Sequence, residues 1–202
     1  MKTKSKALIL ALCAVLLVTA SVLGTMAYLT STDNVENTFT VGSVAITLDE
    51  AKVNPDGSPV ANADRVQSNE YKLLPGQTYT KDPTIHVDPT SEDCYLFVKV
   101  ENGIANIEAD NNKVASQMAA KGWTEVEGKG VYVYADTNGK PTVVKKGENI
   151  HVFDNITIAG TVTGDTLNRY ANETITVTAY AVQKAGFEGK AADEIWTTAF
   201  SA

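Results

Sequence analysis

The stretch "ETITVTAYAVQ", Glu173 to Gln183, alternates strictly. Ile175, Val177, Ala179 and Ala181 fall on one side of an extended chain, and Thr174, Thr176, Thr178 and Tyr180 on the other. "CYLFVKVE" repeats the pattern, with Cys94, Leu96, Val98 and Val100 opposite Tyr95, Phe97, Lys99 and Glu101. Successive side chains of a strand point to opposite faces, so only β-structure gathers a period of two onto one face. The same period governs most of the chain from Thr38 onward. Phe39 and Val41 alternate, then Val44, Ile46 and Leu48, with a three-residue step across Gly42-Ser43 where a bulge or bend is expected. Turn signals separate the runs: Asn54-Pro55-Asp56-Gly57, Pro75-Gly76 and Asn138-Gly139. The last of these predicts a hairpin over "GVYVYADTNGKPTVV". "YKLLPGQTYTKDPTIHVD" reads as two short extended pieces, with Pro83 and Pro89 suggesting sheet edges, and "NIHVFDNITIAGTVT" as a strand pair or one long strand. "EADNNKVASQMAAKG" predicts a short helix with an Asn start and Gly122 at its stop. The tail "KAADEIWTTAF" predicts another, packing through Ile195, Trp196 and Phe200. The expectation is a mainly β fold: an antiparallel, jelly-roll-like β-sandwich with a short inserted helix, formed as one domain by residues 42–202.

The N-terminus has a different character. Lys2, Lys4 and Lys6 precede an apolar run from Ala7 to Leu23, and Gly24-Thr25-Met26-Ala27 follows. A basic start, an apolar middle and small residues at the end make up a secretory signal. Thr25 and Ala27 occupy the positions that must be small for a signal peptidase, which places the cut at Ala27–Tyr28. Residues 1–27 are therefore expected to form an apolar signal helix that is removed, leaving 28–41 as the mature N-terminal segment. The competing reading is a membrane span. Seventeen apolar residues rise about 25 Å, at the short edge of a bilayer, and the next charges are Asp33 and Glu36 instead of a basic stop-transfer cluster. Either way the body is exported, and it touches a membrane only through an uncleaved signal. Cys13 goes with the signal, and the bulky Leu12 before it does not suit a lipidation site. Cys94 is then alone and no intramolecular disulfide can form.

The whole chain carries a formal charge of −7, and the three lysines are the only charges before Asp33, so the mature body is more acidic still. Such a body argues against nucleic acid, which is bound through Lys and Arg. Catalytic patterns are absent from the sequence. A zinc protease of the familiar kind places two His one helical turn apart with a Glu between them. Here His86 and His151 are the only histidines and fall on separate predicted strands, so they are weak metal candidates, with Asp88 or Asp154 as a third ligand. "ADTNGK" and "NPDGS" lack the spaced oxygens and closing Glu of a calcium loop. There is no Gly-x-Ser-x-Gly nucleophile motif. No cofactor and no enzymatic activity are expected.

The stretch "GTMAYLTSTDNVENTFTVGSVAITLDE" joins a small-residue cut site, an aromatic and a short polar run to Asn37-x-Phe39-x-x-Gly42. It resembles the start of the exported TasA and camelysin-like proteins of Gram-positive bacteria, whose signals are removed by a SipW-type signal peptidase. "LLPGQTYTKDPTIHVDPTSEDCYLFVKVE" is similar to that family's second block. The resemblance implies a secreted, jelly-roll-like domain of the cell surface or biofilm matrix that associates with itself or with related matrix proteins into fibres. It implies further that a mature N-terminal segment completes the sheet of the next subunit. In this sequence that role falls to 28–41, with Asn37, Phe39 and Val41 as its candidate polymerisation residues. The physics is sound, because an unpaired sheet edge is satisfied by an added strand. A flexible leader, or a strand paired within its own domain, is the alternative for the same segment. Other activities open to the family resemblance are a camelysin-type metal-dependent endopeptidase and a monomeric surface adhesin.

Overall fold

The computed structural model describes residues 42–200. The signal, the cut site at Thr25, Ala27 and Tyr28, and Asn37, Phe39 and Val41 lie outside the described residues. The described chain is mainly β, with antiparallel sheets. Its strands are β1 (Ile46–Asp49), β2 (Thr78–Thr80), β3 (Thr84–Val87), β4 (Cys94–Asn102), β5 (Trp123–Val126), β6 (Val131–Tyr134), β7 (Asn149–His151), β8 (Asn155–Thr157) and β9 (Ile175–Gln183). Three helices interrupt them: α1 (Val114–Ala120), α2 (Gly164–Asn168) and α3 (Ala192–Phe200). The strands pair as β1-β3-β7, β2-β8 and β5-β6-β4-β9.

Nine residues of β4 pair with nine of β9, from Cys94↔Gln183 to Asn102↔Ile175, so the two clearest alternating runs of the sequence are neighbours. One face of β4 sends Cys94, Leu96 and Val98 into a core shared with Ile85 and Val87 of β3, Tyr79 of β2 and Ile156 of β8. The other face sends Tyr95 and Phe97 into a second core with Val131, Val133 and Ile195. Both faces of β4 are therefore buried from Cys94 to Val98. The predicted α3 supplies the second cover through its predicted side: Trp196 lies 5.5 Å from the Phe97 ring and Phe200 lies 6.0 Å from it.

Several local readings are corrected. The inserted helix does not start at an Asn: two 3-10 turns, Ala105–Ile107 and Asp110–Asn112, precede it, and Lys113 stands at its N-cap without a side-chain bond. The Asn112 amide is occupied elsewhere, donating to Asn155 and to Thr157 Oγ1 of β8. Gly122 does stop the helix, at φ 91°. Pro83 precedes β3, which is the middle strand of its sheet and not an edge, because Pro83 stands outside the ladder. "NIHVFDNITIAGTVT" divides into β7 and β8, which join different sheets. The Asn138-Gly139 turn forms, but the arm after it returns to β6 only through Ala135↔Pro141 before Val144 pairs with Cys94. The longer hairpin is β5–β6, turning through Gly128 and Gly130 at φ 67° and 65°, a conformation glycine adopts without steric cost.

Glu108, only 7% exposed, holds the α1 entry to β4. It accepts bonds from Asn102 Nδ2 at 3.0 Å and from the Val114 amide at 3.4 Å. Burial pushes its carboxyl above the ordinary range. A raised folded-state pKa stabilises the fold below the unfolded value, and that contribution fades as pH rises through the folded one. Glu108→Gln keeps the accepting oxygen. It is expected to raise the melting temperature by a few degrees at pH 7 and to leave it unchanged in acid, read from paired melts across pH.

Candidate functional site: an open groove between two sheet edges

The backbone of β1 uses only half of its hydrogen-bonding groups toward β3. In an antiparallel ladder, alternate residues direct N–H and C=O to opposite sides. Ala45 accepts from Asp88 on the β3 side, whereas Glu50 exchanges both bonds with Val66 on the other side. The alternation therefore turns Ile46 and Leu48 to the side away from β3, where no described strand pairs with them. β9 follows the same logic. Thr174 and Lys184 bond toward β4, so Ile175, Val177, Ala179, Ala181 and Gln183 direct their backbones to the far side. β9 ends its sheet, and no described strand lies beyond it.

Between these edges lies a groove of about 930 Å³. Half-buried Ile46 and Leu48 of β1 and half-buried Ile175 and Val177 of β9 line it, with Ile104 and Ile156 beneath and Tyr71 and Leu73 along the wall. All of these belong to or pack against the main core, so the groove opens onto the interior of the fold.

One end of the groove is polar. Lys81 Nζ sits 2.7 Å from Glu50 Oε2, the latter residue only 4% exposed. Asn69 donates to Glu50 Oε1 at 3.0 Å and to the Ala51 carbonyl at 2.9 Å, and accepts from the Val53 amide at 3.0 Å. The Lys81 ammonium also lies 5.8 Å from the centre of the Tyr71 ring. Burial, and after it the Glu50 charge, push the Tyr71 phenol up, so it stays protonated and donates to the Thr80 carbonyl at 3.1 Å. Lys81→Ala leaves a carboxylate in the wall with Asn69 as its remaining side-chain donor. The expected cost is about 2–3 kcal/mol in urea unfolding. Most of it should return in Lys81→Met combined with Glu50→Gln.

Arg65 braces the wall. Its guanidinium bonds Asp49 Oδ1, Asp82 Oδ2 at 2.9 Å, the Asp82 carbonyl at 3.0 Å and Thr84 Oγ1 at 2.9 Å. Burial works to raise the Asp49 carboxyl, but the bonds from Arg65 and His86 outweigh it and hold the group below the ordinary range. Neither Arg65 nor the Glu50–Lys81–Asn69 cluster is legible in the sequence. They lie in or beside a loop without periodicity, and their partners are distant in the chain.

The two weak metal candidates stand on neighbouring strands. Thr84 pairs with His151 and His86 with Asn149, which sets the two rings diagonally on one face of the sheet. His86 lies 2.9 Å from Asp49 Oδ1 and 2.7 Å from Asn149 Oδ1, and His151 lies 3.2 Å from Thr84 Oγ1. Asp88 and Asp154 do not join them: the Asp88 carboxylate accepts from Thr90, and that of Asp154 pairs with Lys121. Among the described residues, no group of three His, Cys, Asp or Glu is placed to hold a metal. The two acidic turns close on their own chain, Asp136 on the amides of Asn138 and Lys140 and Asp56 on Ser58. Cys94 is fully buried, and burial pushes its thiol up to about 11, which keeps it from acting as a nucleophile near neutral pH.

What this arrangement offers chemically is a pair of backbone edges with no partner strand among the described residues, over an apolar floor, the surface that an extended peptide satisfies. Comparison with protein-family models, with curated proteins and with solved structures finds no match for this chain.

Proposed function

We propose that this chain is a secreted, non-enzymatic structural protein of a Gram-positive-type cell surface or biofilm matrix, related to the TasA and camelysin-like proteins. Its sheets form a jelly-roll-like sandwich. A signal peptidase releases it at Ala27–Tyr28, and copies then join head to tail. Residues 28–41 of one copy enter the groove of the next. The open groove between β1 and β9 is the observation that carries this reading.

Two further features support it. The segment 28–41 is rich in Thr and ends in an apolar alternation: Phe39 and Val41 share one face of an extended chain, and Thr38 and Thr40 share the other. Its exit is also directed. Ser43 and Ala45 accept from the amides of Glu92 and Asp88, on the β3 side, so the chain enters β1 in line with the strand. Fourteen extended residues reach roughly 46 Å, ample to bridge two small domains. Head-to-tail addition does not close on itself, so it produces filaments.

The test is the assembly state of the mature chain beginning at Tyr28, followed by sedimentation and electron microscopy. Filaments are expected from the mature chain, and none while the signal remains attached. A mature chain that stays monomeric at high concentration refutes the proposal.

A further inference from the structure

The polar end of the groove sets an amine and an amide on the two oxygens of one carboxylate. Lys81 Nζ donates to Glu50 Oε2 at 2.7 Å, and Asn69 Nδ2 donates to Glu50 Oε1 at 3.0 Å. The orientation of the Asn69 amide is fixed by its other bonds. Nδ2 also donates to the Ala51 carbonyl at 2.9 Å, and Oδ1 accepts from the Val53 amide at 3.0 Å. The group is shielded from water: the side chains of Lys81 and Glu50 are 11% and 5% exposed, and the Tyr71 ring lies beside the ammonium. A buried ion pair is weak evidence for stability by itself, because desolvation offsets its attraction. Chemically, the same three side chains are a nucleophile, a proton carrier and an acyl donor.

We propose that Lys81 and Asn69 become joined by an amide bond from Nζ to Cγ, formed by the folded chain itself with Glu50 carrying the protons. Lys81 Nζ gives one proton to Glu50 and attacks Asn69 Cγ with its freed lone pair. The carbonyl π pair moves onto Oδ1, where the Val53 N–H is already placed to stabilise it. Glu50 passes its proton to Nδ2 and takes a second from Nζ. The carbonyl re-forms, the Cγ–Nδ2 bond breaks, and Nδ2 leaves as ammonia through the groove that Asn69 lines. Of the two protons that Nζ loses, one departs in the ammonia and one remains on Glu50. The step balances with no co-reactant. Holding amine and amide on one carboxylate turns an encounter between two groups into a reaction within one site.

The bond has a structural use. The connection from β1 to β2 carries no regular strand or helix, and Asn69 stands within it. Lys81 follows β2, so the link ties that connection to the strand end and fixes the groove wall. A cross-link restricts the unfolded chain as a disulfide does. Cys94 is buried and unpaired among the described residues, so sulfur supplies no such link there. The recovery expected above from Lys81→Met with Glu50→Gln refers to the chain before this bond forms. The link lies within one chain and is independent of how copies assemble.

Mass spectrometry of the folded mature chain beginning at Tyr28 tests the proposal. The intact mass should fall short of the sequence by one ammonia. Trypsin cuts an unreacted chain after Lys72 and Lys81. In the linked chain Lys81 is acylated and resists, so peptide 66–72 should appear joined to peptide 73–99 through Asn69 and Lys81. Glu50→Gln should keep the full mass and restore cleavage after Lys81. A folded parent that keeps its full mass after prolonged incubation and is cut after Lys81 overturns the proposal. So does an ammonia loss located elsewhere, such as a succinimide at Asn138-Gly139. A Glu50→Gln chain that still forms the joined peptide overturns the role of Glu50. The parent's peptides decide whether the bond exists even if that variant does not fold.

Discussion

Aspartate at both Phe39 and Val41 is expected to hold the mature chain as a monomer. Both residues are the apolar positions at the end of the segment that the groove is proposed to receive. Burying each is worth about 1.5–3 kcal/mol, so their joint loss removes on the order of 4 kcal/mol, about a thousandfold in Kd. The carboxylates add a desolvation cost, because the groove floor of Ile104, Ile156, Ile175 and Val177 offers them no partner. Sedimentation velocity reads the effect directly. Melting the variant alongside the parent separates lost assembly from lost folding. A double variant that forms filaments at the parent's concentration excludes these two side chains from the interface.

Phe97→Ala should be the most destabilising single truncation in the second core. The ring is fully buried between the four-stranded sheet and α3, with Trp196 and Phe200 against it. A cavity of that size costs about 3–5 kcal/mol. Trp196 is only half-buried and can leave water in its place, so Trp196→Ala should cost less. Urea unfolding gives both values. If Phe97→Ala lowers stability by less than about 1 kcal/mol, α3 does not seal this face. Because α3 covers the face of the sheet and not its β9 edge, a folded Trp196→Ala chain should still assemble.

Much of the fold was legible from local pattern. The alternation in "CYLFVKVE" and "ETITVTAYAVQ" marked β4 and β9 and sorted their faces correctly. The aromatic side of α3 was visible as Ile195, Trp196 and Phe200. The β5–β6 hairpin was not legible, because "WTEV" is too short and too polar for its period to stand out beside two glycines. The start of α1 was misplaced because Asn112 has the composition of a cap and spends its amide on β8.

The groove belongs to a different level. By itself the sequence determined which segments are extended and which face of each is apolar, because a strand's alternation depends only on neighbours in the chain. It also marked 28–41 as a candidate strand next to an expected cut site, apolar at Phe39 and Val41. Only the tertiary structure decided that β1 and β9 end their sheets and leave a gap between them. Edge status depends on which strands pair across tens of residues, here Ile46 with Val87 and Ile175 with Asn102. A period of two is the same whether a strand has two partners or one.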